Sequence, residues 1–240
     1  MKKLLLIILS LLPVLGFSQK KKPMNDVIYD KKTLHFGFTL GLNAMDFVLY
    51  PSRSAIFPDS LYPEVTVLHP GFNINVVSSL KLSKHFNFRF LPGISFGQRS
   101  IYYYRNNGQQ GDSLVLEYSN QKIESSFLEF PFIFKYKSVR INNWRPYLIG
   151  GLNYRLDLAA KKEYKEDKNI YIRLKQSDIY YEIGFGIDFF LKYFKFSTEL
   201  KLSAGMRYVL VHEPSASHPE LVTSIDRLKS KMWIISFHFE

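Results

Sequence analysis

The chain has 240 residues, no cysteine and a formal net charge of +11, a length that suits one substantial domain. Without a thiol there is no disulfide, no thiol catalysis and no cysteine-ligated zinc. Such a charge would suit nucleic acid, but no RNP, finger or helix-turn-helix signature accompanies it; anionic lipid or lipopolysaccharide headgroups are the expected partners instead, the plainer alternative being lysines that only solubilise loops.

Lys2 and Lys3 precede an apolar run from Leu4 to Phe17, with Gly16 and Ser18 as small residues at its end, the layout of a secretory signal. The run is interrupted by Pro13 and is shorter than the roughly 20 residues of a spanning helix. Residues 1–18 are therefore expected to be a removed signal peptide. Gln19 would open the mature chain, with no cysteine there to carry a lipid. Residues 19–32, including Lys20, Lys21 and Lys22, read as a polar extension, and 33–240 as the folded domain.

From residue 33 the hydrophobic period is two, which predicts strands. The first sets Leu34, Phe36, Phe38, Leu40 and Leu42 against His35, Gly37, Thr39, Gly41 and Asn43. The second opposes Phe72, Ile74, Val76, Leu80 and Leu82 to Asn73, Asn75, Ser79 and Lys81, and the short LSKHF step leads into a third with Phe86, Phe88, Phe90, Ile94 and Phe96 on one face. The fourth carries Leu128, Phe130, Phe132, Phe134 and Tyr136 opposite Glu129, Ile133 and Lys135; the fifth carries Leu148, Leu152, Tyr154, Leu156 and Leu158 opposite Asn153, Arg155 and Asp157. Ile179 to Phe189 forms the sixth, Phe196 to Tyr208 the seventh, and WIISFHFE ends the chain on an eighth.

Short connections near 83–85, 138–146 and 190–194 alternate with long ones near 45–69, 99–121, 159–177 and 209–229. Eight strands with this alternation predict an all-β, antiparallel, up-and-down transmembrane barrel, its short turns periplasmic and its four long loops extracellular. Pro92 and Pro131 fall inside strands, where bulges are expected to accommodate them.

A secreted lipocalin-like barrel would share the alternation turned inside out. Three features favour the membrane. The strands suit the roughly 9 to 11 residues that cross a bilayer better than the roughly 5 to 6 usual in soluble sheets. Tyr103, Tyr104, Tyr136, Trp144, Tyr147, Tyr208 and Trp233 gather near strand ends as interfacial girdles would. The final strand ends in alternating aromatics up to Phe239, the kind of signal barrel-insertion machinery reads.

On that register Lys81, Arg89, Lys135, Arg155, Lys201 and Arg207 point into the lumen with Glu129, Asp157, Glu182, Asp188 and Glu199. An eight-stranded barrel is only wide enough to be filled by side chains, and an unpaired buried ion costs several kcal/mol. A filled polar lumen follows, rather than a diffusion pore.

Chemistry is sparse. His35 and His238 are lumen-facing and Ser236 shares the face of His238, so a Ser–His hydrolase acting on lipid can be drawn; a place near the periplasmic end and a role in the polar network is the ordinary account. His212 and His218 share a loop with Glu213 and Glu220, but without HExxH-type spacing. Gly150-Gly151 and the pair Gly184, Gly186 lie within strands, with no following helix to make a phosphate loop. The lysine-rich loop 159–177 could meet lipopolysaccharide phosphates or simply be solvated. No enzymatic activity, cofactor or metal is expected.

The segments FLEFPFIFKY, WRPYLIGGLNYRLDL, YYEIGFGIDFFLKYFKFSTELKLSAGMRY and WIISFHF resemble the PorT-like family of outer-membrane β-barrels, over strands four to eight and more loosely over the first three. LEFP followed by RPYL and its glycine pair is the most specific part. The resemblance implies an integral outer-membrane protein needed for type IX protein secretion, with secretion-machinery proteins as partners, and often for dependent surface adhesion or gliding motility. It brings no catalytic residues. A surface adhesin or receptor using the long loops is the alternative, with a lipid-modifying enzyme behind it.

Overall fold

The computed structural model describes residues 24–26, 28–52, 61–65, 68–106, 115–160, 171–213 and 218–240. The expected signal peptide, the lysines at 20–22 and the middle of the 159–177 loop lie outside the described residues. Ten strands are formed: β1 (Leu34–Pro51), β2 (Leu61–Glu64), β3 (His69–Lys81), β4 (Phe86–Phe90), β5 (Gly93–Asn106), β6 (Val115–Lys137), β7 (Trp144–Asp157), β8 (Ser177–Phe190), β9 (Lys195–Gly205) and β10 (Ile225–Phe239). A 3-10 turn (Tyr29–Lys31) precedes them, and a short helix α1 (Pro219–Thr223) precedes β10.

All strand pairings are antiparallel, and β1 pairs with both β10 and β3, which closes the sheet. The ring has eight staves as the alternation predicts, the third being β4 and β5 in line. Apolar positions face outward: Leu42, Phe134, Leu148, Ile183 and Phe185 are each more than half exposed, whereas the intervening Lys135, Glu182 and Ser203 are buried. Such a continuous apolar belt would be an aggregation surface in water, and hydrocarbon is the solvent that satisfies it.

The prolines are accommodated without the expected bulges. Register is kept across the gap between β4 and β5 on both sides, since Phe90 and Gly93 face Phe132 and Glu129 of β6, and Ser78 and Asn75 of β3. Pro131 therefore lies opposite Leu91, and Pro92 opposite Val76. In a hydrogen-bonded antiparallel pair each residue both donates to and accepts from its partner. Leu91 N donates to the Pro131 carbonyl (3.2 Å) and Val76 N to that of Pro92 (2.9 Å), and neither proline can reciprocate. The buried Asn75 side chain supplies the missing donor to the Leu91 carbonyl, at 3.1 Å.

Strands run on into three of the stretches expected as long loops. β1 continues to Pro51, the β5–β6 hairpin pairs out to Asn106 and Val115, and β10 begins at Ile225. Leu174 bridges to Leu210, and Val209 N bonds to the Leu228 carbonyl at 2.9 Å, tying the remaining segments onto this extension. Its interior is apolar: Phe47, Ile101, Tyr103, Leu210, Leu221 and Leu228 belong to one buried cluster. The lumen is thus polar up to the level of Arg99 and Asp157, as the alternation predicts, and an apolar plug that the sequence reading did not anticipate lies above it, because inward positions of the extension carry hydrophobic residues. The girdle also changes. Tyr136, Trp144 and Tyr208 are exposed at or just beyond strand ends and Trp233 is exposed in the middle of β10, but Tyr103 and Tyr147 are buried inside. Both share the inward parity of Ile101 and Ile149, and their hydroxyls donate to the Leu221 carbonyl (2.9 Å) and Glu199 (3.0 Å).

Candidate functional site

The interior is the chemically rich part of the molecule, and it is organised in storeys. At mid-height the Arg155 guanidinium lies between two carboxylates, 2.8 Å from Glu129 and 3.0 Å from Glu182. Glu182 also receives Lys201 at 2.8 Å, the Asn153 amide at 2.8 Å and the Ser203 hydroxyl at 3.0 Å. Four strands, β6 to β9, are cross-linked by this cluster alone. Each residue arrives because inward positions recur every second residue and neighbouring staves pair in register.

Nearer the short turns, Arg89 joins Glu199 and Glu240, each at 3.2 Å, and Lys135 joins Asp188 at 2.7 Å while lying 3.5 Å from the centre of the Tyr147 ring. Gly186 makes room for that tyrosine, since a Cβ there would lie 2.4 Å from its hydroxyl. Here the glycine relieves crowding inside the wall, as its place in a strand suggests. Of the expected lumen charges, Arg89, Lys135, Arg155, Lys201 and all five carboxylates are buried. Arg207 is not: β9 ends at Gly205, and Arg207 lies beyond it, exposed. Lys81 is half-buried at the lower mouth, donating to the Asp30 carbonyl at 2.6 Å.

That mouth is closed by the segment read as a polar extension. Tyr29 is buried, stacked on His35 with ring centres 3.9 Å apart; its hydroxyl donates to Glu240 at 2.7 Å and accepts from Lys195 at 2.5 Å. Asp30 pairs with Arg145 at 3.0 Å and Arg140 at 3.3 Å, and Asn25 bonds to Asn143 and to the Phe190 carbonyl. Burial works against the Asp30 charge, but the Arg145 and Arg140 guanidiniums outweigh it and hold the carboxyl below its ordinary value. Burial, reinforced by Glu240, pushes the Tyr29 hydroxyl far up, so it stays a donor. Sequence reasoning missed this cap because a single inward tyrosine sets up no periodicity; the signal available was the apolar step Val27-Ile28-Tyr29 within a charged stretch.

At the upper end Arg99 meets Asp157 at 3.1 Å and Ser230 at 2.7 Å, with the Phe47 ring 4.5 Å away, and the apolar cluster lies above it. The internal cavity beside Arg99 and Asp157 has a volume of about 10 Å³, room for about one water.

The residues considered for catalysis have other employment. His35 bonds to the Tyr29 carbonyl through Nε2 at 2.9 Å. His238 lies between the Thr39 hydroxyl (2.6 Å) and Glu199 (3.3 Å), a hydroxyl–imidazole–carboxylate row with the order of a hydrolytic triad. All three side chains are buried, and Ser236 is buried beside them, so a substrate carbonyl has no approach to Thr39. The loop residues do not converge either. His212 contacts the Asp226 carbonyl, His218 pairs with Glu220, and Glu213 pairs with Arg173; among the described residues no three metal-ligating side chains come together.

A closed, antiparallel eight-stave ring with an apolar exterior and a salt-linked interior is the architecture of an outer-membrane barrel. The family model described as "Outer membrane protein beta-barrel domain" matches residues 17–210. The chain belongs to this family. Its location is accordingly the outer membrane. Among solved structures the barrel is similar to OprG of Pseudomonas aeruginosa, at 10% identity, covering 92% of this chain and 98% of that one with a TM-score of 0.41. It is also similar to the N-terminal barrel domain of OprF from the same organism (10% identity, 84% and 97% covered, TM-score 0.31). A third is Ail, the attachment invasion locus protein of Yersinia pestis (10% identity, 87% and 98% covered, TM-score 0.33). No curated protein matches the chain.

Proposed function

We propose that this barrel is a non-enzymatic component or assembly factor of type IX protein secretion, working through protein contacts at its periplasmic mouth or its extracellular extension. The observation that carries the reading is the filling of the interior. The Tyr29 cap, the ion-paired middle and the apolar upper cluster succeed one another along the axis, so a role as conduit is disfavoured and a role as scaffold is favoured. The resemblance of strands four to eight to PorT-like barrels supplies the secretion context. Deleting the gene and assaying the secretome tests it: loss of export of C-terminally tagged cargo is expected, and unchanged export would refute it.

A second reading is favoured by the strand extension, in which β1, β5, β6 and β10 run on into stretches expected as long loops. On that reading the barrel is a surface adhesin or receptor. Shortening the β5–β6 hairpin would then abolish whole-cell binding while leaving secretion intact. The lipid-modifying reading loses ground to the burial of Thr39, His238 and Ser236; an unaltered lipid A mass profile in a His35→Ala, His238→Ala double variant would dismiss it.

A further inference from the structure

One side of the outer rim joins positive charge to an apolar groove. On β10, Arg227, Lys229 and Lys231 occupy successive outward positions above Trp233, and their cross-strand neighbours on β1 are Tyr50, Val48 and Asp46. With a strand rise of ~3.3 Å per residue and a tilt of ~40°, the three cations stand about 5, 10 and 15 Å above the indole along the membrane normal. Trp233 is outward-facing and exposed, and tryptophan at such a place marks the membrane–water interface. The cations therefore span headgroup depth. The long-loop end of the barrel is its external end, so the headgroups are those of the outer leaflet.

Tyr208 ties the cluster together: Arg227 donates to its hydroxyl at 3.4 Å, and the Arg227 and Lys229 cations lie 5.4 and 5.2 Å from its ring centre. Beside them opens a groove of about 380 Å³ walled by Val48, Tyr50, Tyr181, Ala204, Met206 and Lys229. Tyr50, Tyr181 and Met206 are exposed there, and the small side chain at the outward Ala204 leaves the depression. Asp226 lies 3.2 Å from Arg227 and Asp46 3.7 Å from Lys231, so three cations face two carboxylates, and Lys229 is the one with no carboxylate partner among the described ion pairs.

We propose that this rim binds a phosphorylated, acylated glycolipid of the outer leaflet. Arg227 and Lys229 take the phosphate, Tyr50 and Tyr208 offer flat faces to the sugar, and the groove receives an acyl chain. Charges spread over some 10 Å of depth and flanked by aromatic faces suit a sugar headgroup better than the single compact phosphate of a glycerophospholipid. The inference needs only the outer-membrane location and is independent of the secretion reading.

The test uses the full chain in detergent, titrated with bisphosphorylated lipid A and followed by native mass spectrometry. Dephosphorylated lipid A and phosphatidylglycerol are the comparison ligands. Each basic residue near an anionic headgroup is worth about fivefold in affinity, so an Arg227→Gln, Lys229→Gln variant is expected to bind bisphosphorylated lipid A at least about tenfold more weakly. A Lys122→Gln, Lys175→Gln control should bind as the parent does. Removing the phosphates should weaken binding to the parent chain by a similar factor, an arm that needs no variant to fold. Equal binding of phosphatidylglycerol and lipid A, or no loss in either arm, would overturn the proposal.

Discussion

Replacing Arg155 by methionine removes the cation between Glu129 and Glu182 while keeping much of the side-chain length. Both ends of the interaction are dry, since the side chains of Arg155 and Glu129 are 0% and 2% exposed. Glu182 keeps Lys201, Asn153 and Ser203. Glu129 keeps only a weak approach from the Asn75 amide at 3.5 Å. The variant thus strands one buried carboxylate, and removing one partner of such a pair costs ~3 to 5 kcal/mol. Adding Glu129→Gln removes the stranded charge and should bring the loss back to within about 1.5 kcal/mol of the parent, since replacing both members of a buried pair is close to neutral. Urea unfolding in lipid vesicles, read by the mobility difference between folded and unfolded barrel on semi-native gels, measures both values. A loss below about 1 kcal/mol for Arg155→Met would refute the reasoning, as would a double variant no better than the single, because the guanidinium would then not be neutralising Glu129 in a dry interior.

Three further outcomes follow. Asn75→Ala orphans the Leu91 carbonyl that Pro131 cannot reach and should cost about 1 to 3 kcal/mol in the same assay; restoring an N–H with Pro131→Ala should recover part of it. Asp30 has a folded value below its unfolded one, so its hold on the cap is complete above the ordinary carboxylate range, near pH 4, and is lost as pH falls through the lower folded value. Hydrogen exchange over residues 24–32 should therefore accelerate under strong acid relative to an Asp30→Asn variant, and parallel behaviour of the two proteins would contradict the pairing. In planar bilayers the barrel should pass no sustained current, and a steady ohmic pore would contradict the filled lumen.

Which side of each strand meets lipid was legible in the sequence, because a period of two with large apolar residues on one parity leaves little choice of register, as at Leu128 to Tyr136. The ion partners were legible as a set but not as pairs, since Arg89 reaches Glu199 across the lumen from a stave 110 residues away in sequence. What escaped was where alternation loses contrast. Residues 99–106 put tyrosines on both parities, so Tyr103 looked interfacial when it is a core residue of the extension. Arg207 follows the inward parity of β9, but the strand ends two residues before it. The Tyr29 cap depends on a tertiary contact with Glu240 and Lys195 that no local pattern announces.

The most direct measurement concerns the direction in which the rings point. The chain has two tryptophans, Trp144 at the short-turn end and Trp233 where the outward apolar run of β10 gives way to Lys231, 41% and 42% exposed on the outer surface. In vesicles of lipids brominated along their acyl chains, single-tryptophan variants made by Trp→Phe exchange should each lose most of their fluorescence. The greater loss should come with bromines placed near the headgroup than at mid-chain. Emission unchanged by brominated lipid at either position would mean that the aromatic face is turned inward, and the barrel as described would be wrong.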